Sequence, residues 1–244
     1  VSALAARGAT DWLNWLFSGL VQGFAQGFSI LMAQEFGSGN YKRLRKVIFN
    51  SLILSVICSL LILVISQACA HPILTLLHTP DDIMDNSLLY LRIIFLGMPV
   101  IMAYNLSASI LRSLGDSKTP LHAMIAASIT NIVLDPIMIL VFNWGVAGAA
   151  VATVIGNMAA SAFYLQYFLR KKSSLSIRLK DFRMGERIAL SVASIGIPAS
   201  LNNILMSCAN IVLNHVLASY GDTPVAAMGV AMKSNMIVVL LQIG

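Results

Sequence analysis

Residues 51–70 read SLILSVICSLLILVISQACA, an uncharged stretch from Ser51 to Ala70. A helix rising about 1.5 Å per residue would carry such a stretch across about 30 Å, the thickness of a bilayer's hydrocarbon core. The run does not alternate apolar with polar residues, as the segments of about 10 residues in a transmembrane barrel do. The rest of the chain agrees. Of 244 residues, 58% are hydrophobic and 11% charged, with a mean hydropathy of +0.82. A soluble domain carries about 25% charged residues, so that class is excluded, and so is a disordered chain, which is polar and highly charged. The expected fold is an all-α polytopic membrane protein.

Seven hydrophobic segments can be drawn, at 10–36, 47–70, 86–112, 119–143, 146–169, 188–218 and 224–244. The chain opens on Val1 without a signal peptide and closes inside an apolar run, Leu240 to Gly244. A fragment of a longer protein is therefore expected. The connectors sort by charge. The first, third and fifth, near 37–46, 112–120 and 170–187, hold 13 of the 16 Lys and Arg, and the other three hold none. Basic loops stay cytoplasmic, so these three are expected inside. The first segment then runs inward, and at least one span is expected before it. The net charge of +6 follows from these loops and from contact with anionic lipid. It lies on no soluble basic face, so a nucleic-acid partner is not expected.

Within the segments, small and polar residues fall on separate faces. Gly19, Gly23 and Gly27 recur every fourth residue, as do Gly148, Ala152, Gly156 and Ala160. Such stripes let helices approach closely. Asn14, Ser18, Gln22 and Gln26 form a polar line in the first segment, and Asn203, Ser207, Asn210 and Asn214 form one in the sixth. Lipid cannot satisfy amides, so these lines face protein or water. They serve as helix-to-helix glue or, taken together, line a hydrated cavity, with Gln22, Gln26, Asn203 and Asn210 as its candidates. Gly97 with Pro99, Pro136, and Gly196 with Pro198 interrupt segments, as binding-site helices of transporters often are.

Of ten acidic residues, Asp135 alone lies deep in an apolar segment, in Asn131-Ile-Val-Leu-Asp135-Pro136. An intramembrane carboxylate is a functional candidate by default. Asn131 shares its helix face. A tight turn centred near Trp144 would bring Thr153 to the depth of Asp135. Amide, carboxylate and hydroxyl would then converge as oxygen ligands for a small cation such as Na+, or as a desolvated, proton-binding acid. Lys233, inside the seventh segment, could meet an anionic group or a carboxylate. Cys58, Cys69 and Cys208 have no metal-ligand spacing and read as small core residues. No nucleophile triad, phosphate-cradling loop or nucleotide motif is present, so neither an enzyme nor a bound cofactor is expected.

Several stretches resemble the multidrug and toxic compound extrusion (MATE) family. Gly27-Phe-Ser-Ile-Leu-Met-Ala-Gln-Glu-Phe-Gly-Ser-Gly39 resembles the end of that family's second helix. Tyr90-Leu-Arg-Ile93 with Gly97-Met-Pro99 resembles the fourth, and Leu111-Arg-Ser-Leu-Gly-Asp-Ser-Lys-Thr-Pro120 the loop after it. Asn131 to Pro136 and Gly145 to Thr153 resemble helices five and six. Asn202-Asn203 and Tyr220-Gly-Asp222 resemble bacterial members.

The resemblance implies two six-helix lobes in a protein near twice this length. Residues 1–180 would be an N-terminal lobe without its first helix, and 181–244 the start of the C-terminal lobe. It implies export of amphipathic organic cations in exchange for H+ or Na+ by alternating access, in a bacterial plasma membrane. The full-length protein would be a monomer. The family's N-lobe acidic site matches Asn131, Asp135 and Thr153 here, with Tyr90 near it; its helix-one aspartate falls outside this chain. Two other readings remain: a lipid-linked precursor flippase of the same superfamily, disfavoured because deep cations are few, and a seven-span receptor, disfavoured by the small-residue stripes and the missing start.

Overall fold

The structure is a computed structural model and describes residues 2–76, 81–170, 186–219 and 228. Lys233 and all of the seventh segment but Met228 lie outside the described residues, as does most of the fifth connector. The described chain is helical: α1 Ser2–Gly37, α2 Tyr41–Leu76, α3 Asp81–Leu96, α4 Met98–Ser113, α5 Lys118–Pro136, α6 Gly145–Arg170 and α7 Glu186–Ser219. Five of these stretches are long and apolar enough to cross a membrane, and α3 with α4, bent by 45° at their junction, would count as a sixth if the pair is one span. The protein is an all-α, multi-pass membrane protein.

Sequence explains each break. The α3–α4 bend falls at Gly97, where Pro99 near the start of α4 has no N–H to offer the preceding turn. A Cβ at Gly97 would stand 2.6 Å from Val154 Cγ2, so α6 packs into the bend. At the α1–α2 turn, Asn40 Oδ1 accepts the Arg43 backbone N–H at 3.2 Å, a side-chain cap for α2. Glu35 and Arg43 pair across the same turn at 3.1 Å.

After α5 the chain widens into a π-helical stretch, Ile137–Val141. Pro136 cannot donate to the Ile132 carbonyl, and the wider turn re-uses the carbonyls beyond it. The Phe142 N–H reaches Ile137 O at 3.1 Å, and the Trp144 N–H reaches Met138 O at 3.1 Å. Asn143 and Gly145 then take positive φ values, 55° and 53°. These are the two residue types that enter this region most easily, and they let α6 double back along α5.

Residues 1–203 form one compact unit and 204–244 a second. In the first unit, one apolar cluster gathers Phe17, Val21, Leu91, Phe95, Met98 and Met102 from α1, α3 and α4, with Ala150 of α6. A second joins Phe28, Met32, Leu44, Leu106 and Val192. A third holds Ala108, Leu111, Ala123, Ala160 and Tyr164. Both small-residue stripes are packing surfaces. A Cβ on Gly23 would meet the Ser200 backbone, and one on Gly27 the Gly196 backbone. A Cβ on Gly156 would stand 3.1 Å from Ala127 O, and one on Gly148 3.0 Å from Met138 O.

Along α2, buried Ser55, Ser59 and Ser66 donate to the carbonyls of Leu52, Val56 and Leu63, at 2.8, 2.9 and 3.1 Å. Each hydroxyl is thus satisfied by its own helix where water is absent. The outer faces remain apolar and bare: Val64, Ile132 and Leu140 are 66%, 69% and 72% exposed, as lipid-facing residues are.

Candidate functional site

The antiparallel α5–α6 pair brings the first two members of the predicted site together. Asn131 Nδ2 donates to Thr153 Oγ1 at 3.4 Å, and the Thr153 hydroxyl donates to Ala149 O at 2.9 Å. This polarity leaves the Asn131 carbonyl oxygen without a hydrogen-bond donor among the described residues. One turn further along α5, Asp135 is half-buried. Its Oδ1 is enclosed and has no hydrogen-bond partner among the described residues. A carboxylate oxygen so placed carries a desolvation cost that a proton or a cation would relieve.

The register differs from the expected one. Thr153 stands opposite Asn131 rather than Asp135, and the midpoint of that pair is Phe142, not Trp144. The cause is the π-helical stretch and the tight Phe142–Trp144 link, in which Asn143 takes a positive φ. Both belong to the α5 side of the turn, because α6 begins at Gly145. Asp135 therefore lies nearer the turn than Thr153, beside the widened segment, and π-bulges often accompany functional positions. Tyr90 is half-buried on α3 against the cluster that includes Phe95 and Met98.

The other polar candidates separate. Gln22 and Gln26 of α1 face α4 across a cavity of about 240 Å³, lined also by Tyr104, Asn105, Ser109 and Arg112. Asn203 lies beside Gly23, where its Nδ2 would stand 2.9 Å from an added Cβ. Asn210 belongs to the second unit and donates to Met206 O at 2.8 Å. Sequence reasoning missed the α4 wall of the cavity and treated Arg112 as a connector charge, whereas it occupies the last turn of α4. The signal was there: Asn105 and Ser109 have the four-residue spacing of Gln22 and Gln26, and Arg112 follows on the same face.

At the end of the bundle near Arg112, Asp116 organises the α4–α5 connector. Its Oδ1 accepts the Thr119 backbone N–H at 3.0 Å, and its Oδ2 accepts the Thr119 hydroxyl at 2.7 Å. Gly115 allows the turn with φ 80°. This carboxylate is fully engaged, in contrast to Asp135.

Comparison with known proteins places this architecture. The MatE family profile matches residues 1–137. The probable multidrug resistance protein YoeA of Bacillus subtilis is 32% identical over 238 residues, covering 94% of this chain and 51% of that protein. The multidrug export protein MepA of Staphylococcus saprophyticus is 32% identical over 219 residues, covering 88% of this chain and 48% of that protein. A crystal structure of a MATE transporter in its straight conformation superposes with a TM-score of 0.88 at 29% identity, covering 98% of this chain and 54% of the other. The chain spans about half the length of the curated relatives it matches.

Proposed function

The chain belongs to the MatE family, and from that premise we propose that it serves in a secondary active multidrug efflux antiporter. Amphipathic organic cations leave the cell in exchange for H+ or Na+ as the protein alternates between inward-open and outward-open forms. The relatives' names, multidrug resistance and multidrug export protein, support this substrate class. The basic connectors support an orientation with 37–46, 112–120 and 170–187 on the cytoplasmic side of a bacterial plasma membrane.

One observation carries the coupling step: the enclosed, unpartnered Oδ1 of Asp135, one helical turn from the Asn131–Thr153 pair. That oxygen has no compensating donor among the described residues. A proton would neutralise it. A Na+ would take Asp135, the free Asn131 carbonyl and the second lone pair of Thr153 as ligands, with further oxygens from outside this set. Either ion couples to transport only if it binds one orientation better than the other. The α5–α6 turn with its π-helical stretch is the element next to Asp135 that such binding would bias. Division into lobes at 180/181, with the later residues opening the second lobe, belongs to the same reading.

The test uses the complete protein in proteoliposomes loaded with a fluorescent organic cation, under a Na+ gradient or a pH gradient applied separately. Export driven by one gradient and lost in Asp135→Asn is the expected result, and it names the ion. Export by Asp135→Asn at the native rate would sink the assignment. No response of the folded native protein to either gradient would favour a flippase instead.

A further inference from the structure

The α1–α4 cavity has a chemistry that the ion-coupling site does not use. Six polar side chains line it: Gln22, Gln26, Tyr104, Asn105, Ser109 and Arg112. None is a carboxylate, and one is a guanidinium. Arg112 makes no ion pair among the described residues, whereas Arg43 at the same end of the bundle is paired with Glu35. The Asn105 amide donates to Ile101 O at 2.8 Å. The donors facing the space are therefore Arg112, the two glutamines, and the hydroxyls of Tyr104 and Ser109.

Behind Tyr104 packs a second tyrosine, Tyr164 of α6. Tyr164 is 1% exposed, and its hydroxyl has no hydrogen-bond partner among the described residues. Its ring lies 5.9 Å from that of Tyr104. A guanidinium and several hydroxyl and amide donors thus gather with no acid to answer them.

Size and place narrow the ligand. A volume of about 240 Å³ is below the ~300–1,000 Å³ of sites that enclose a drug-sized molecule, yet ample for a phosphate group with its immediate substituents. Arg112 lies in the last turn of α4, at the end that also carries the basic α1–α2 connector. Lipid headgroups meet a spanning protein at that depth, and basic pockets between helices receive them.

We propose that the α1–α4 cavity seats the phosphodiester headgroup of an anionic phospholipid, held by Arg112 with Gln26 and Ser109. Arginine presents paired donors to two phosphate oxygens at once. The glutamine amide and the serine hydroxyl complete the shell, and the acyl chains lie along the apolar outer faces of the helices. The site is separate from Asp135.

The test measures binding to the complete detergent-purified protein of phosphatidylglycerol, phosphatidylcholine and inorganic phosphate, read by native mass spectrometry and thermal unfolding. Phosphatidylglycerol should bind in preference to phosphatidylcholine. Arg112→Gln should weaken it about tenfold or more, as loss of a charged hydrogen-bonding partner does, with Arg112→Lys intermediate. Inorganic phosphate that neither stabilises nor displaces the lipid assigns the site to the lipid. Phosphate that displaces it in an Arg112-dependent way keeps the oxyanion site and makes a soluble phosphate its ligand. Native phosphatidylglycerol affinity in Arg112→Gln overturns the proposal. Should that variant fail to fold, Gln26→Leu keeps the charge and removes an amide, and unchanged lipid affinity there overturns it equally.

Discussion

The Tyr167 hydroxyl donates to Asp116 Oδ2 at 2.7 Å, joining α6 to the α4–α5 connector across 51 residues. The same carboxylate holds Thr119 by its N–H and its hydroxyl, so one acid ties the start of α5 to the end of α6. Asp116→Ala should cost about 1–2 kcal/mol, the usual cost of losing a helix cap. Tyr167→Phe should cost about 1 kcal/mol, one hydrogen bond. Thermal unfolding of the purified protein ranks them, and equal midpoints for Asp116→Ala and the native protein would remove the cap from the account.

At the candidate coupling site, Thr153→Val preserves shape and removes the oxygen that meets Asn131 at 3.4 Å. Ion-driven export should fall about tenfold, the worth of a lost polar ligand of roughly 1.4 kcal/mol. Thr153→Ser should restore it. Initial export rates at fixed gradient decide this, with protein level checked by immunoblot.

The α1–α7 contact in the first unit has no room to spare. Gly27→Val would drive a side chain into the Gly196 backbone. Overpacking of this kind costs about 1–3 kcal/mol, and the yield of monodisperse protein in size-exclusion chromatography should drop. Gly37→Ala is the control. An added Cβ there meets nothing within 4 Å, and alanine should be neutral or slightly stabilising in this helical position.

The proposed orientation can be read chemically. In a variant stripped of Cys58, Cys69 and Cys208, a cysteine at Ser117 should react with a membrane-impermeant maleimide only in inverted vesicles. One at Asn143 should react in intact cells. Both residues are exposed in the structure. The opposite pattern would invert the topology.

The architecture was legible because a bilayer leaves few choices. Runs such as 51–70 cannot be anything but spanning helices, and the Gly97/Pro99 and Pro136 interruptions fall where the helices bend or widen. That Asn131, Asp135 and Thr153 would converge could be read in advance, because a short antiparallel turn brings α5 and α6 side by side. Their register could not be foreseen, since a π-helical stretch leaves no periodic trace in five residues of uniform hydropathy, Ile137–Val141. The place of Arg112 on the cavity was not legible for a related reason. A cation at a helix end serves topology and a binding cavity alike, and only the neighbouring Gln22 and Gln26 distinguish the two.

The three serines buried along α2 have a mechanical consequence. Ser55, Ser59 and Ser66 each give their proton to a carbonyl of their own helix, so none of these hydroxyls is bolted to a neighbour. At those positions α2 is held only by surface contact, whose energy changes gradually as one helix slides past another. The next residue is different: Gln67 Nε2 donates to Arg92 O of α3 at 2.9 Å, so the turn at Gln67 is pinned to its neighbour while the serine-bearing turns before it can adjust their footing without breaking a side-chain hydrogen bond of their own.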